Sequence, residues 1–328
     1  MPSENNILVT QLSRTYGEKC VVDAISFSVK PGEILGFLGP NGAGKSTTLQ
    51  MLSGILSPSE GQISICGVDL LTQPQQAKAH LGFLPEIPPL YPEFTVDTYL
   101  RFCARIHAVP KAKIDHALRQ AKQKCGLTDV GYRLIANLSK GFQQRIGIAQ
   151  AIIHEPDIVI LDEPTVGLDP IQIRDIRQLI KQIGSEQSVI LSSHILPEIQ
   201  STCDRVQIIN HGRVVFSDTV EHLQQYMEAP SLIIALRTAP DVAALEQLES
   251  VTRVEKLDNE RFLIQHDASI DTAQMIVKKS VSQDWGLYHI ATEQRSLEDI
   301  FVDITTSEAT ELENSDISTR VANQEAVQ

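Results

Sequence analysis

The chain has 328 residues, with 28 basic and 41 acidic side chains and a net charge of −13. At roughly 150 residues per domain there is room for two domains, and so acidic a surface argues against coating nucleic acid. Hydrophobic residues at 42% and aromatics at only 5% suit an α/β protein with a substantial core, and no apolar run approaches the roughly 18 residues of a membrane helix.

The opening stretch, Met1-Pro2-Ser3-Glu4-Asn5-Asn6, lacks the basic and apolar regions of a signal peptide. Residues 7–9, 25–29 and 34–38 then read as short strands, with Lys30-Pro31-Gly32-Glu33 as the turn before the third. That third strand is wholly apolar apart from Gly36, as expected where both faces are buried. A glycine-rich turn and a helix from about Lys45 come next, then strands over 62–65 and 81–84. Pro85, Pro88, Pro89 and Pro92 crowd the following segment into a stiff connector. Val96, Tyr99, Leu100, Cys103 and Ile106 carry helical spacing, and Ile114, Ala117, Leu118, Ala121 and Cys125 repeat it. Apolar strands at 158–161 and 188–193 restore the α/β character, so the helices read as an insertion in a parallel-sheet domain.

Composition shifts again near Glu228-Ala229-Pro230. Beyond it the pattern predicts strand 232–236, helix 242–248, strand 251–257, strand 261–265, helix 270–281 and strand 287–292. This is the βαββαβ order of a ferredoxin-like domain. A short amphipathic helix over 297–304 closes it, and the polar, acidic residues 306–328 read as a disordered tail. Cys20, Cys66, Cys103, Cys125 and Cys203 are scattered and never form a CxxC pair, which predicts reduced thiols in a cytosolic protein rather than disulfides or structural zinc.

The chemistry concentrates in two places. Gly39-Pro40-Asn41-Gly42-Ala43-Gly44-Lys45-Ser46 fits G-x-x-x-x-G-K-[ST] between a buried strand and a helix, with Thr47 completing the set. Its glycines let backbone N–H groups curl around phosphates at a helix N-terminus. Lys45 reaches the outer phosphates of ATP and the Ser46 hydroxyl binds Mg²⁺. Downstream, Ile158-Val159-Ile160-Leu161 runs into Asp162-Glu163. A carboxylate at the C-terminal end of a buried parallel strand suits a Mg²⁺ partner, which assigns Asp162 to the metal and Glu163 to polarising the attacking water. Taken alone, Glu163 has a second and less favoured reading as a solvated acid at a strand end.

With these motifs the chain resembles the ATP-binding subunits of ABC transporters over its first 220 or so residues. Leu138-Ser139-Lys140-Gly141-Phe142-Gln143-Gln144-Arg145 resembles the family signature LSGGQQQR, departing at Lys140 and Phe142. The resemblance implies that Ser139 and Gly141 complete the ATP site of an opposite subunit. It also implies that Asp169, in Gly167-Leu168-Asp169-Pro170, lies in the loop that communicates between the two sites. His194 resembles the switch histidine at the γ-phosphate. Tyr16 resembles the aromatic that stacks on adenine, although it reads almost as well as a strand-packing tyrosine. Glu86 stands where the family has a Gln that ligates Mg²⁺ and couples to the helical subdomain. Leu-Pro-Glu, Leu-Ser-Lys-Gly-Phe and Ser296-Leu297-Glu298-Asp299-Ile300-Phe301 resemble the ABC-2 export branch, in particular its multidrug and gliding-motility-like subunits.

The implied fold is a P-loop NTPase (RecA-like) α/β core with an N-terminal antiparallel β subdomain and an inserted helical subdomain at about 86–150. Together these span 1–228, and the ferredoxin-like domain covers 229–305. The implied function is an ATP-hydrolysing subunit that forms an ATP-dependent homodimer and powers a separate transmembrane permease from the inner face of the membrane. A soluble ABC-type ATPase acting on ribosomes or DNA is disfavoured by the single P-loop and the absence of heptads. A nucleotide-binding regulator without turnover is disfavoured by Glu163 and His194 occurring together.

Overall fold

The computed structural model describes residues 5–227, 231–238, 240–266 and 271–293. The helix expected at 297–304 and the acidic tail lie outside them. The chain divides into two compact units between Val220 and Glu221.

The first unit contains two sheets. One is antiparallel, built from β1 (Ile7–Tyr16), β2 (Lys19–Val29), β4 (Glu60–Ile65) and β5 (Val68–Asp69) in the order β2-β1-β4-β5. The other comprises β3 (Ile34–Leu38), β6 (Leu81–Leu84), β7 (Ile158–Asp162), β8 (Ser188–Ser193), β9 (Arg205–Asn210) and β10 (Arg213–Thr219). Its order is β10-β9-β3-β8-β7-β6, parallel except for β10 at one edge. Every residue of β3, β7 and β8 is buried, because helices and the antiparallel sheet cover both faces. A single apolar core joins the sheets, with Ile7, Val9 and Phe27 packed with Leu35, Phe37, Ile160 and Ile190. Phe27 and Phe37 meet edge to face at 5.2 Å.

The first strand is longer than the apolar alternation of residues 7–9 suggests. Its pairing register shifts between Val9 and Leu12, where Gln11 adopts a left-handed φ of 49°, and again between Leu12 and Arg14, where Ala24 on the neighbouring strand does the same. These bulges break the period-2 pattern without ending the strand.

The helices are α1 (Lys45–Leu52), α2 (Pro74–Ala79), α3 (Val96–Ile106), α4 (Ile114–Lys124), α5 (Lys140–Ile152), α6 (Pro170–Gly184) and α7 (Leu196–Thr202), with α8 (Val220–Met227) at the division. The two helices expected after the proline-rich connector are α3 and α4. Val96, Tyr99, Leu100 and Cys103 are buried, but Ile106 at the end of the stripe is exposed. Thr95 caps α3 by accepting from Thr98 N, and Lys122 of α4 pairs with Asp97 at 2.7 Å. Tyr99 Oη donates to Pro89 O at 3.0 Å, tying the connector to the helix it precedes.

The second unit holds β11 (Ser231–Leu236), α9 (Val242–Glu246), β12 (Val251–Lys256), β13 (Arg261–His266), α10 (Thr272–Ser282) and β14 (Leu287–Glu293). The sheet runs β12-β13-β11-β14 with every pair antiparallel, which is the strand order of the split βαβ arrangement. Ile234, Leu245, Phe262, Ile264, Ile276 and Trp285 form its core.

Three cysteines, Cys103, Cys125 and Cys203, are buried, Cys66 is half-buried and Cys20 is exposed; all five are free thiols. Where α3 and α5 end, His107 and His154 stack face to face at 3.9 Å, and His154 Nε2 lies 3.0 Å from Leu81 O. Burial, aided by His107, pushes His154 down to about 4, and burial lowers His107 as well. The unfolded chain takes up a proton near 6.5 that the folded chain refuses, so this contribution to stability is present above pH 6.5 and is lost as pH falls towards 4. The stability gap between wild type and His154→Asn should therefore narrow from pH 7.5 to 5, by at most about 2 kcal/mol. Thermal unfolding at the two pH values measures it, and a constant gap would mean that the imidazole is not held neutral.

Candidate active site

The parallel strands deliver the site. β3 ends at Leu38 and the loop Gly39–Gly44 turns directly into α1, whose first residues are Lys45 and Ser46. Two of its glycines have no substitute. A Cβ on Gly39 would sit 2.2 Å from Ile209 O, and Gly44, with φ of +108°, would bring one to 2.8 Å from Val21 O. Ala43 N donates to Pro40 O and closes the loop into a tight turn.

Lys45 is only 5% exposed. Its ammonium donates to Gly39 O at 2.8 Å and to Pro40 O at 3.2 Å, so it lies folded over its own loop. It is also 3.6 Å from Glu163 Oε1. Opposite, Ser46 Oγ lies 3.2 Å from Asp162 Oδ1, at the end of β7. Two hard oxygen donors side by side fit a Mg²⁺ ion that keeps several waters. The same Asp162 oxygen accepts a 2.6 Å bond from Ser192 Oγ of β8, and Ser192 Oγ accepts from Glu163 N at 2.8 Å.

Glu163 leaves β7 with a left-handed φ of 47°, an uncommon conformation for a non-glycine residue. That turn directs its buried carboxylate between Lys45 and His194, whose Nδ1 lies 3.0 Å from Oε2. A carboxylate held this way, desolvated and fixed at both oxygens, can accept a proton from a water at a phosphate. Asn41, Gly42, Gly44, Lys45, Ser46, Thr47, Glu86, Glu163 and His194 all line one cavity of about 280 Å³.

The remaining residues singled out in the sequence lie outside that cavity's lining. Tyr16, at the end of β1, is half-exposed with the Arg14 guanidinium 4.5 Å above its ring. Ser139 is exposed and caps α5, accepting from Phe142 N. Asp169 is exposed and caps α6, accepting from Ile171 N and Gln172 N at 3.0 and 2.9 Å. Gly141 abuts Gln172 so closely that a Cβ there would sit 2.7 Å from the Gln172 amide. Lys140 lies against Gly167, where a Cβ would meet its ammonium at 2.0 Å. The signature segment and the Asp169 loop are thus neighbours within one chain.

Sequence reasoning overlooked Ser192. A hydroxyl on a wholly buried strand was the available signal, since buried polar groups need partners.

The ABC transporter family profile matches residues 22–166. The chain is 32% identical to the uncharacterized ABC transporter ATP-binding protein YhcH of Bacillus subtilis, over 90% of this chain and 95% of that one. The chain belongs to the ABC transporter ATP-binding proteins. It is also 38% identical to the bacitracin transport ATP-binding protein BcrA of Bacillus licheniformis, over 67% of this chain and 71% of that one. Among solved structures it is similar to cbiO1 from Clostridium perfringens, part of the ABC transporter complex cbiONQ. That match has a TM-score of 0.64 and 25% identity, covering 75% of this chain and 96% of the other. Members of the ABC transporter ATP-binding family bind ATP and are ATPases. The architecture around the 280 Å³ cavity is therefore the P-loop NTPase core of an ABC ATPase.

Replacing Glu163 by Gln removes the carboxylate and keeps the shape. ATP binding, followed with a fluorescent analogue, should persist while hydrolysis falls by roughly 10²–10⁴-fold. Turnover close to wild type would take Glu163 out of the hydrolytic step.

Proposed function

We propose that two copies of this chain, each loaded with ATP and Mg²⁺, close head to tail at the inner face of the cell membrane and drive a separate membrane permease that exports its substrate. The observation that carries the reading is the buried Glu163, held between Lys45 and His194 above the phosphate loop. A nucleotide-binding regulator has no need of a desolvated acid aimed into that cavity.

In this reading the phosphates lie on the loop over α1, and Lys45 leaves the carbonyls of Gly39 and Pro40 for the outer phosphates. Ser46 and Asp162 hold Mg²⁺, which offsets phosphate charge. Glu163 takes the proton of the attacking water, and His194 fixes the Glu163 carboxylate and reaches the γ-phosphate. Glu86 is the metal-side acid of the connector and reports the state of the site to α3 and α4. Tyr16 stacks on the adenine.

Ser139 at the N-terminus of α5 is exposed and free to face a partner's nucleotide, with Gly141 buried just behind it and Asp169 also exposed. Among the described residues no helix is long and apolar enough to cross a membrane, which supports a permease on a separate chain. The cbiO1 relative is described as part of a transporter complex and BcrA as a bacitracin transport protein, and both support coupling to transport. The outward direction follows from the resemblance to the export branch. The ferredoxin-like domain expected at 229–305, which falls within the second unit, is then that branch's accessory domain.

Two experiments test the assembly. Ser139→Arg should abolish turnover and leave nucleotide binding by the monomer nearly intact. A wild-type rate per subunit that does not change with protein concentration would contradict a shared site. Glu86→Ala should depress permease-stimulated turnover, in a reconstituted complex, far more than basal turnover of the isolated subunit. A basal loss as large as that of Glu163→Gln would make Glu86 a primary ligand instead.

A further inference from the structure

Glu198, on α7, is a carboxylate only 2% exposed that the roles above leave unused. Its Oε2 accepts from Thr165 Oγ1 at 2.7 Å and from Ser193 Oγ at 2.9 Å. Thr165 lies just beyond Glu163-Pro164, and Ser193 immediately precedes His194. Ser193 Oγ also accepts from Ile195 N at 3.0 Å, so the turn carrying His194 is held from both sides. The other oxygen, Oε1, accepts no hydrogen bond and lies 3.5 Å from a guanidinium nitrogen of Arg177 on α6.

Burying a carboxylate is costly unless it is paired and hydrogen-bonded, and here its ionic partner stands farther off than a charge-assisted bond of about 2.8 Å. Anchoring a short helix does not require that cost, because an apolar residue at a fully buried position would do it. What a carboxylate supplies is one acceptor shared by two hydroxyls, which holds two loops in register. Those loops carry Glu163 and His194, whose 3.0 Å contact shapes the site. Arg177 extends the same clamp to α6, the helix that Asp169 caps and that meets α5 through Arg145 and Asp175 at 2.9 Å.

We propose that Glu198 is a positioning residue that sets the Glu163–His194 contact by clamping the loop after β7 to the end of β8. Through Arg177 it also links that contact to α6. The inference rests on the assignment of Glu163 and His194 to ATP hydrolysis.

The test is a double-mutant cycle on the full chain, Glu198→Ala with His194→Ala, with residual rates measured by single turnover of radiolabelled ATP. Glu198→Ala alone should lower kcat by about 10–100-fold, a loss on the scale of a misplaced reacting group, and leave the KM for ATP within twofold. In the His194→Ala background the same substitution should cost less than threefold. Glu198→Gln, which keeps an acceptor oxygen for both hydroxyls, should restore kcat to within about threefold of wild type. Equal losses in both backgrounds, or a raised KM at unchanged kcat, would overturn the clamp. Wild-type turnover in His194→Ala alone would overturn the assignment of His194 and the clamp with it, a failure separable from the first because it needs no change at Glu198. If Glu198→Ala does not accumulate folded, Thr165→Val combined with Ser193→Ala removes both arms and keeps the carboxylate. The same non-additivity with His194→Ala is then expected.

Discussion

Ser192 of β8 ties its strand to the end of β7, where the acids Asp162 and Glu163 of the candidate active site lie. One hydroxyl donates to Asp162 and accepts from the backbone of Glu163, so adjacent parallel strands are cross-linked where their C-terminal ends meet the phosphate loop. Register between β7 and β8 is already set by apolar burial on both faces. The hydroxyl turns that register into an orientation for two carboxylates. It also keeps Asp162 beside Ser46, 3.2 Å away, and steadies the backbone from which Glu163 departs in a left-handed turn.

The electrostatics of the site depend on burial. Lys45 and Glu163 are both nearly sealed from water, 3.6 Å apart, and neither charge is strongly matched by the other. Lys45 satisfies its donors on loop carbonyls and Glu163 leans on His194. Buried charges held by such partial compensation are poised to exchange partners when a stronger anion enters, because the low dielectric magnifies each new contact. A triphosphate is such an anion, and Gly39 and Gly44 hold the loop that would receive it close against the backbone of Ile209 and Val21, where any side chain would collide.

The exposed part of the first unit has the opposite character. Ser139 and Asp169 cap their helices and face solvent, with backbone N–H groups at helix starts that favour negative charge. Gly141 against Gln172 and Lys140 against Gly167 bring the two helix starts together. Lys140 is a departure from the family signature, and here it is absorbed by the chain's own glycine loop. The route from this surface back to Glu163 runs along α6 to Arg177 and Glu198.

The amino-acid sequence by itself determined the strand–loop–helix around Lys45, the acidic end of β7, the helical insertion and the alternating elements of the second unit. Each of these is written in local spacing: glycines where the backbone must bend, apolar residues at helical or strand period, prolines where a helix cannot form. Only the tertiary structure decided that β1 runs on to Tyr16, since bulges erase the period-2 signal without breaking the ladder. It alone revealed Ser192 and Glu198 as structural partners of Asp162, Thr165 and Ser193. A hydroxyl on an apolar strand signals that a partner is needed without saying which, and an acid on a short helix looks like ordinary surface chemistry until burial is known. Their meaning comes from groups distant in the chain, which parallel strand pairing brings within hydrogen-bonding distance.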